Sequence, residues 1–151
     1  MISVISPVYG CRACLSTLVE ELERSFASCE SIEIVLVCDA SPDGSWEEIQ
    51  SLALTRPHLR GILLSRNFGQ QVAVSAGLEA CTGDIAVVMD CDLQDAPGDA
   101  LRLANVIAAG ADIAIGIAPF RGDPTRARTF SRHLYLRTLD YLQPQIGADH
   151  T

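Results

Sequence analysis

Short runs rich in Ile and Val alternate along the chain with longer stretches whose apolar residues recur at three- and four-residue steps. The short runs are Ile2 to Ser6, Ile32 to Cys38, Gly61 to Ser65, Asp84 to Met89 and Asp112 to Ile117, and each is read as a strand. Their hydrophobicity is continuous rather than alternating, as expected of strands buried on both faces of a parallel sheet. Between the first two, Leu15, Leu18, Val19, Leu22 and Phe26 form one apolar stripe of a helix. Ser45 followed by Trp46, Glu47 and Glu48 reads as an N-cap with acids in the first turn. Two Ala-rich helices are expected at Gln70 to Cys81 and Gly98 to Ala109, the second stopped by Gly110. Strands alternating with helices predict an α/β fold, a mostly parallel sheet with helices on both faces.

In such open sheets, ligands bind at the carboxyl ends of the strands. Those ends read Pro7-Val8-Tyr9, Cys38-Asp39-Ala40-Ser41-Pro42-Asp43-Gly44, Ser65-Arg66-Asn67-Phe68-Gly69 and Asp90-Cys91-Asp92-Leu93-Gln94-Asp95. Asp90 and Asp92 directly follow a buried apolar run, so the polar pair emerges at the ligand edge. Two carboxylates there repel unless a cation sits near them. Mg²⁺ or Mn²⁺ takes one or two carboxylates plus phosphate oxygens, which suits a nucleotide diphosphate; a solvated turn is the plainer alternative. Asp39 ends the neighbouring strand, where its carboxylate is available to the imide N–H of a uracil base. Asp43-Gly44 reads as a turn. The chain has neither Gly-x-Gly-x-x-Gly after its first strand nor a Walker-type Gly-Lys-Ser/Thr, which argues against dehydrogenases and ATPases. Positive counterparts for phosphate are then the cation, Arg66, or a helix start near Gly69 and Gln70.

Composition narrows the picture further. The length of 151 residues and 48% hydrophobic content suit one domain with a sizeable core. The net charge is −8 and all 11 basic residues are Arg, five of them in residues 121–151. An acidic body of this kind is a poor binder of nucleic acid, and none is expected as a partner. Cys11 and Cys14 have the two-residue gap of zinc and redox sites, but no second such pair follows, so the six cysteines are read as reduced thiols. The start of the chain lacks the features of a secretory signal, and no apolar run reaches the roughly 20 residues of a membrane span, so a cytoplasmic chain is expected.

Taken together, the four strand ends resemble family 2 glycosyltransferases of the GT-A fold, in order and at suitable spacing over about the first 135 residues. Arg66-Asn67-Phe68-Gly69 with Asp92-Leu93-Gln94-Asp95 is similar to the branch that transfers sugars to polyprenyl phosphate, dolichyl-phosphate mannose synthases and their bacterial relatives among them. The resemblance implies an inverting, metal-assisted transfer from a UDP- or GDP-sugar to a polyprenyl phosphate carrier. It implies that Pro7 and Tyr9 line the nucleoside pocket and that Asp39 meets the base; Arg66 stays the candidate side-chain cation for the donor's phosphates. Asp90 and Asp92 would bind ribose or diphosphate and the metal, Asp92 most directly. Gln94 would lie near donor sugar or acceptor phosphate, and Arg121 would match the second arginine of an Arg-x-x-Arg pattern and face phosphates. A transferase acting on a sugar hydroxyl and a non-catalytic nucleotide-binding remnant are the alternatives.

Three departures stand out: Gly10-Cys11 replaces an Asn-Glu, Cys38 replaces the first Asp of Asp-Asp-Gly-Ser, and Ala118 replaces the first Arg of the later pattern. Cys11, Cys38 and Cys91 are expected at one sheet edge, as a thiol site or as small replacements for polar groups. Residues 1–120 are read as the nucleotide-sugar-binding core and 121–151 as the start of an acceptor-side, juxtamembrane region, the chain looking truncated. In that region Arg121, Arg126, Arg128, Arg132 and Arg137 interleave with Phe130, Leu134, Tyr135 and Leu136. Such a stretch either faces anionic lipid at the inner face of a membrane or forms a solvated helix with an apolar side.

Overall fold

The computed structural model describes residues 1–117. Four parallel strands, β1 (Ile2–Val8), β2 (Ile32–Cys38), β3 (Leu59–Leu63) and β4 (Ile85–Val88), lie in the order β3-β2-β1-β4. They alternate with α1 (Arg12–Ser25), α2 (Ser45–Ala53), α3 (Gln70–Ala80) and α4 (Pro97–Ala108). The expected α/β class, parallel sheet and four helices are all present. These elements form one compact unit, Met1–Gly116.

The apolar stripe of α1 is buried as its spacing requires. Leu15, Leu18, Val19 and Leu22 pack with Ile49 of α2, Ala104 of α4 and the strand residues Val4, Val8, Ile34 and Leu36. On the opposite face α3 lies against Ile5, Val35 and Val37 through Ala73. Its approach is close enough that a Cβ on Gly77 would run into Ile5 and Val37. Small residues on this helix therefore let its backbone, and hence its N-terminus, sit near the sheet.

Four local readings change. Pro7 belongs inside β1, although proline is ordinarily excluded from a central strand. The Val8 carbonyl accepts the Asp39 amide from the β2 side, whereas the Ile5 carbonyl accepts the Met89 amide from the β4 side. Alternation then directs the missing Pro7 N–H toward β4, whose ladder with β1 has already ended at Ile5–Val88. β3 starts and ends two residues earlier than its apolar run suggested. Ser45 is not an N-cap but the first residue of α2; the N-cap is Gly44, left-handed with φ 84°, and Asp43 just before it accepts the Ser45 amide at 3.0 Å.

The fourth change concerns Asp112–Ile117, which is not a strand. Ile113, Ile115 and Ile117 are 78%, 79% and 88% exposed. An extended run becomes a strand only when a neighbour takes its N–H and C=O groups, and none of the described strands does so. Arg121 and the basic stretch interleaved with aromatic and Leu residues lie outside the described residues.

Candidate functional site

β1 and β2 stay paired to Val8–Cys38, but β1 and β4 part after Ile5–Val88. The polar sequences beyond the parting point line a cleft of about 370 Å³. Pro7, Val8, Tyr9, Gly10 and Cys11 come from the end of β1 and the turn into α1; Asp39 follows β2. Asn67, Gly69 and Gln70 lead into α3, and Asp90, Cys91 and Asp92 follow β4. Five residues singled out in the sequence, Pro7, Tyr9, Asp39, Asp90 and Asp92, are thus brought together. Two others are not at the cleft wall: Arg66 sits over the Phe68 ring, 4.7 Å from its centroid, and Gln94 is exposed beyond Asp92.

Asp39 is buried, and each of its carboxylate oxygens accepts a backbone amide at 2.8 Å, Oδ1 from Phe68 and Oδ2 from Gly69. The Gly69 amide also reaches Asn67 Oδ1 at 3.0 Å. Such charge-assisted bonds are strong enough to hold a loop, so Asp39 ties the β2 end to the start of α3. Any base in the cleft would meet a carboxylate already holding two amides.

Asp90 and Asp92 are exposed at the cleft wall. Gln70 Nε2 donates to Asp90 Oδ1 at 2.7 Å, and the Gln94 amide donates to Asp92 Oδ1 at 3.0 Å. Among the described residues, the second oxygen of each accepts no hydrogen bond, and no Arg pairs with Asp39, Asp90 or Asp92. Nor do three His, Cys, Asp or Glu side chains among the described residues converge into a closed metal cage. Two carboxylates with one uncommitted oxygen each fit a Mg²⁺ or Mn²⁺ ion that completes its shell with phosphate oxygens and water.

The backbone around these carboxylates is unusual. Ala40, next after Asp39, has φ 50°, and Leu93, next after Asp92, has φ 61°. Left-handed conformations cost a non-glycine residue roughly 1–2 kcal/mol, and they persist where the surroundings dictate them. Both turn the chain sharply right after a cleft carboxylate.

Asp43 was read only as part of a turn, yet it organises the neighbouring wall. Its Oδ1 accepts the hydroxyls of Ser41 (2.6 Å) and Ser45 (2.5 Å), and its Oδ2 accepts the Arg12 amide at 2.9 Å. Burial alone would raise this carboxyl, but the hydroxyls and amides outweigh it and hold it well below the usual carboxylate range. Ser41 Oγ in turn accepts the Gly10 amide at 2.8 Å, so the turn into α1 is braced from β2. The Ser-x-Asp-x-Ser spacing before a helix was the available signal.

Cys11, Cys38 and Cys91 are all buried in one apolar core; Cys11, whose thiol donates to the Cys91 carbonyl at 3.2 Å, and Cys91 also line the cleft, whereas Cys38 does not reach it. Burial pushes the Cys11, Cys38 and Cys91 thiols above their ordinary values, which makes them poor nucleophiles. All six cysteines are free. Cys11 and Cys38 therefore serve as small packing residues where polar side chains were expected.

Comparison with known proteins follows the same lines. The sheet, its helices and the cleft at the strand ends have the GT-A glycosyltransferase architecture. A solved mannosyltransferase from Pyrobaculum calidifontis, PcManGT in complex with GDP-Man and Mn²⁺, superimposes with a TM-score of 0.56 at 26% identity over 60% of this chain and 27% of that one. S. aureus TarS in complex with UDP-GlcNAc gives a TM-score of 0.56 at 19% identity over 80% of this chain and 38% of TarS, a likeness of fold. The chain belongs to glycosyl transferase family 2, whose sequence model matches residues 3–150.

Its relatives include the undecaprenyl-phosphate 4-deoxy-4-formamido-L-arabinose transferase of Aeromonas hydrophila, 36% identical over 137 residues, or 87% of this chain. The enzyme of the same name from Pseudomonas syringae is 36% identical over 141 residues, or 89% of this chain. The chain spans 41% of the length of each. No helix among the described residues is long and apolar enough to cross a membrane.

Proposed function

We propose that the cleft binds a nucleotide-diphosphate sugar and that the domain serves inverting transfer of that sugar to a polyprenyl phosphate. The observation that carries this reading is the meeting of Pro7, Tyr9 and Asp39 with the Asp90–Asp92 pair in one cleft. Tyr9 and Pro7 offer apolar surface to a nucleoside, and Asp39 holds the loop that leads to the α3 start. Asp90 and Asp92 are the proposed ligands of Mg²⁺ or Mn²⁺, Asp92 the more direct. Bound there, the ion supplies Lewis-acid stabilisation of the departing diphosphate. Similarity to a mannosyltransferase holding GDP-Man and Mn²⁺ and to undecaprenyl-phosphate sugar transferases supports both donor class and acceptor class.

A phosphate acceptor is anionic near neutral pH, so no side chain needs to remove its proton, whereas a sugar hydroxyl would require a general base. The work left to the protein is then placement and the exclusion of misaligned donors. A lipid phosphate also requires the site to operate at a membrane surface, and the inner face is the proposed location.

Calorimetry of UDP and of GDP, with and without Mn²⁺, tests the donor site. Metal-dependent binding of one nucleotide is expected, with Asp92→Asn losing more of it than Asp43→Asn. Binding that ignores Mn²⁺ would favour a degenerate nucleotide-binding module instead, a reading to which the buried Cys11 and Cys38 lend some weight. Transfer of radiolabelled sugar to polyprenyl phosphate, measured on a full-length relative, tests the acceptor.

A further inference from the structure

We infer that Gln70 is a positioning residue for the cation site, orienting the Asp90 carboxylate, an inference that rests on the donor-site reading above. Gln70 opens α3 and Asp90 follows β4; the two side chains meet at the cleft wall, with Nε2 donating to Oδ1 at 2.7 Å. An exposed aspartate with no partner is free to turn about its side-chain torsions, and ordering it on ligand binding costs free energy. A neutral amide removes that freedom while leaving the carboxylate its full charge. An Arg or Lys in its place would cancel the charge a cation needs.

The amide is itself well anchored. Asp39 grips the Phe68 and Gly69 amides immediately before Gln70, so the first turn of α3 is held from β2 while the Gln70 side chain reaches β4. Two strand ends separated by β1 are thereby joined through one helix start. Asp92 also has one oxygen engaged, its Oδ1 accepting from the Gln94 backbone N–H. Each carboxylate consequently keeps a single oxygen uncommitted for a hard cation, and partners of this kind tune metal affinity strongly when the ligands themselves are intact.

The test uses Gln70→Met, which keeps the length of the side chain and removes its donor, Gln70→Ala as a second variant, and Gln71→Met as a neighbouring control. Binding of the nucleotide preferred by the wild-type chain is titrated against Mn²⁺ by calorimetry, and thermal melting is recorded without metal. Both Gln70 variants are expected to need on the order of 10-fold more Mn²⁺ for half-maximal nucleotide binding. Melting without metal stays at the wild-type value, and Gln71→Met behaves as wild type throughout. Mn²⁺ dependence unchanged in both Gln70 variants overturns the inference and leaves the donor site standing. A wild-type chain without Mn²⁺-linked binding removes the donor-site reading, and this inference with it.

Discussion

Asp39 Oδ2 accepts the Gly69 amide at 2.8 Å, joining the end of β2 to the first turn of α3 across 30 residues of sequence. With Oδ1 on the Phe68 amide, this one buried side chain fixes the loop from which Gln70 reaches the cleft. Asp39→Asn keeps the size but turns one acceptor into a donor facing an N–H. A loss of about 2 kcal/mol is expected, because a buried amide loses a charged partner. Urea denaturation measures it; a change within error would mean that the loop is held by something else. Nucleotide binding should weaken in the same variant.

Asp43 makes stability depend on acidity. Its folded-state value is depressed relative to the unfolded chain, near 3.9. It therefore contributes stability above that pH, and the contribution is lost as pH falls below it. Asp43→Asn should be less stable than wild type at pH 7, and the difference should shrink as the two are compared toward pH 3. Melting temperatures across this range provide the check, and a difference that stays constant would contradict it.

Gly77→Ala sets helix propensity against packing. An alanine gains up to about 1 kcal/mol within a helix, but its methyl would strike Ile5 and Val37, and overpacking costs roughly 1–3 kcal/mol. Net destabilisation of about 1 kcal/mol is expected. Because α3 also carries Gly69 and Gln70 to the cleft, nucleotide affinity should fall with stability, as calorimetry of the variant would reveal.

Ser6 is fully buried in β1, and among the described residues its hydroxyl has no hydrogen-bond partner. Removing an unpaired buried hydroxyl relieves its desolvation cost. Ser6→Ala should leave stability unchanged or raise it by up to about 1 kcal/mol in denaturant titration. A clear loss would show that the hydroxyl is bonded in solution.

The strands and helices were readable because burial of a parallel sheet on both faces leaves continuous Ile and Val runs between periodic helical stretches. The cleft carboxylates were readable for a related reason: Asp90 and Asp92 follow such a run directly. Pro7 was misread, since its tolerance inside β1 depends on where β4 stops pairing, a fact of the neighbour rather than of the local sequence. Asp112–Ile117 failed similarly, because its apolar composition says nothing of whether a partner strand is at hand. The contacts Gln70–Asp90 and Asp39–Gly69 are long-range and polar, and periodicity carries no signal for such pairs.

β1 and β4 separate while β1 and β2 remain zipped. The crevice is therefore a product of main-chain divergence, with side chains only furnishing its walls. An architecture built this way tolerates refurnishing: Gly10, Cys11 and Cys38 can stand where polar groups were expected without the opening collapsing. Ligand preference in such a domain can drift by substitution along the rim while the frame that makes a rim possible stays the same.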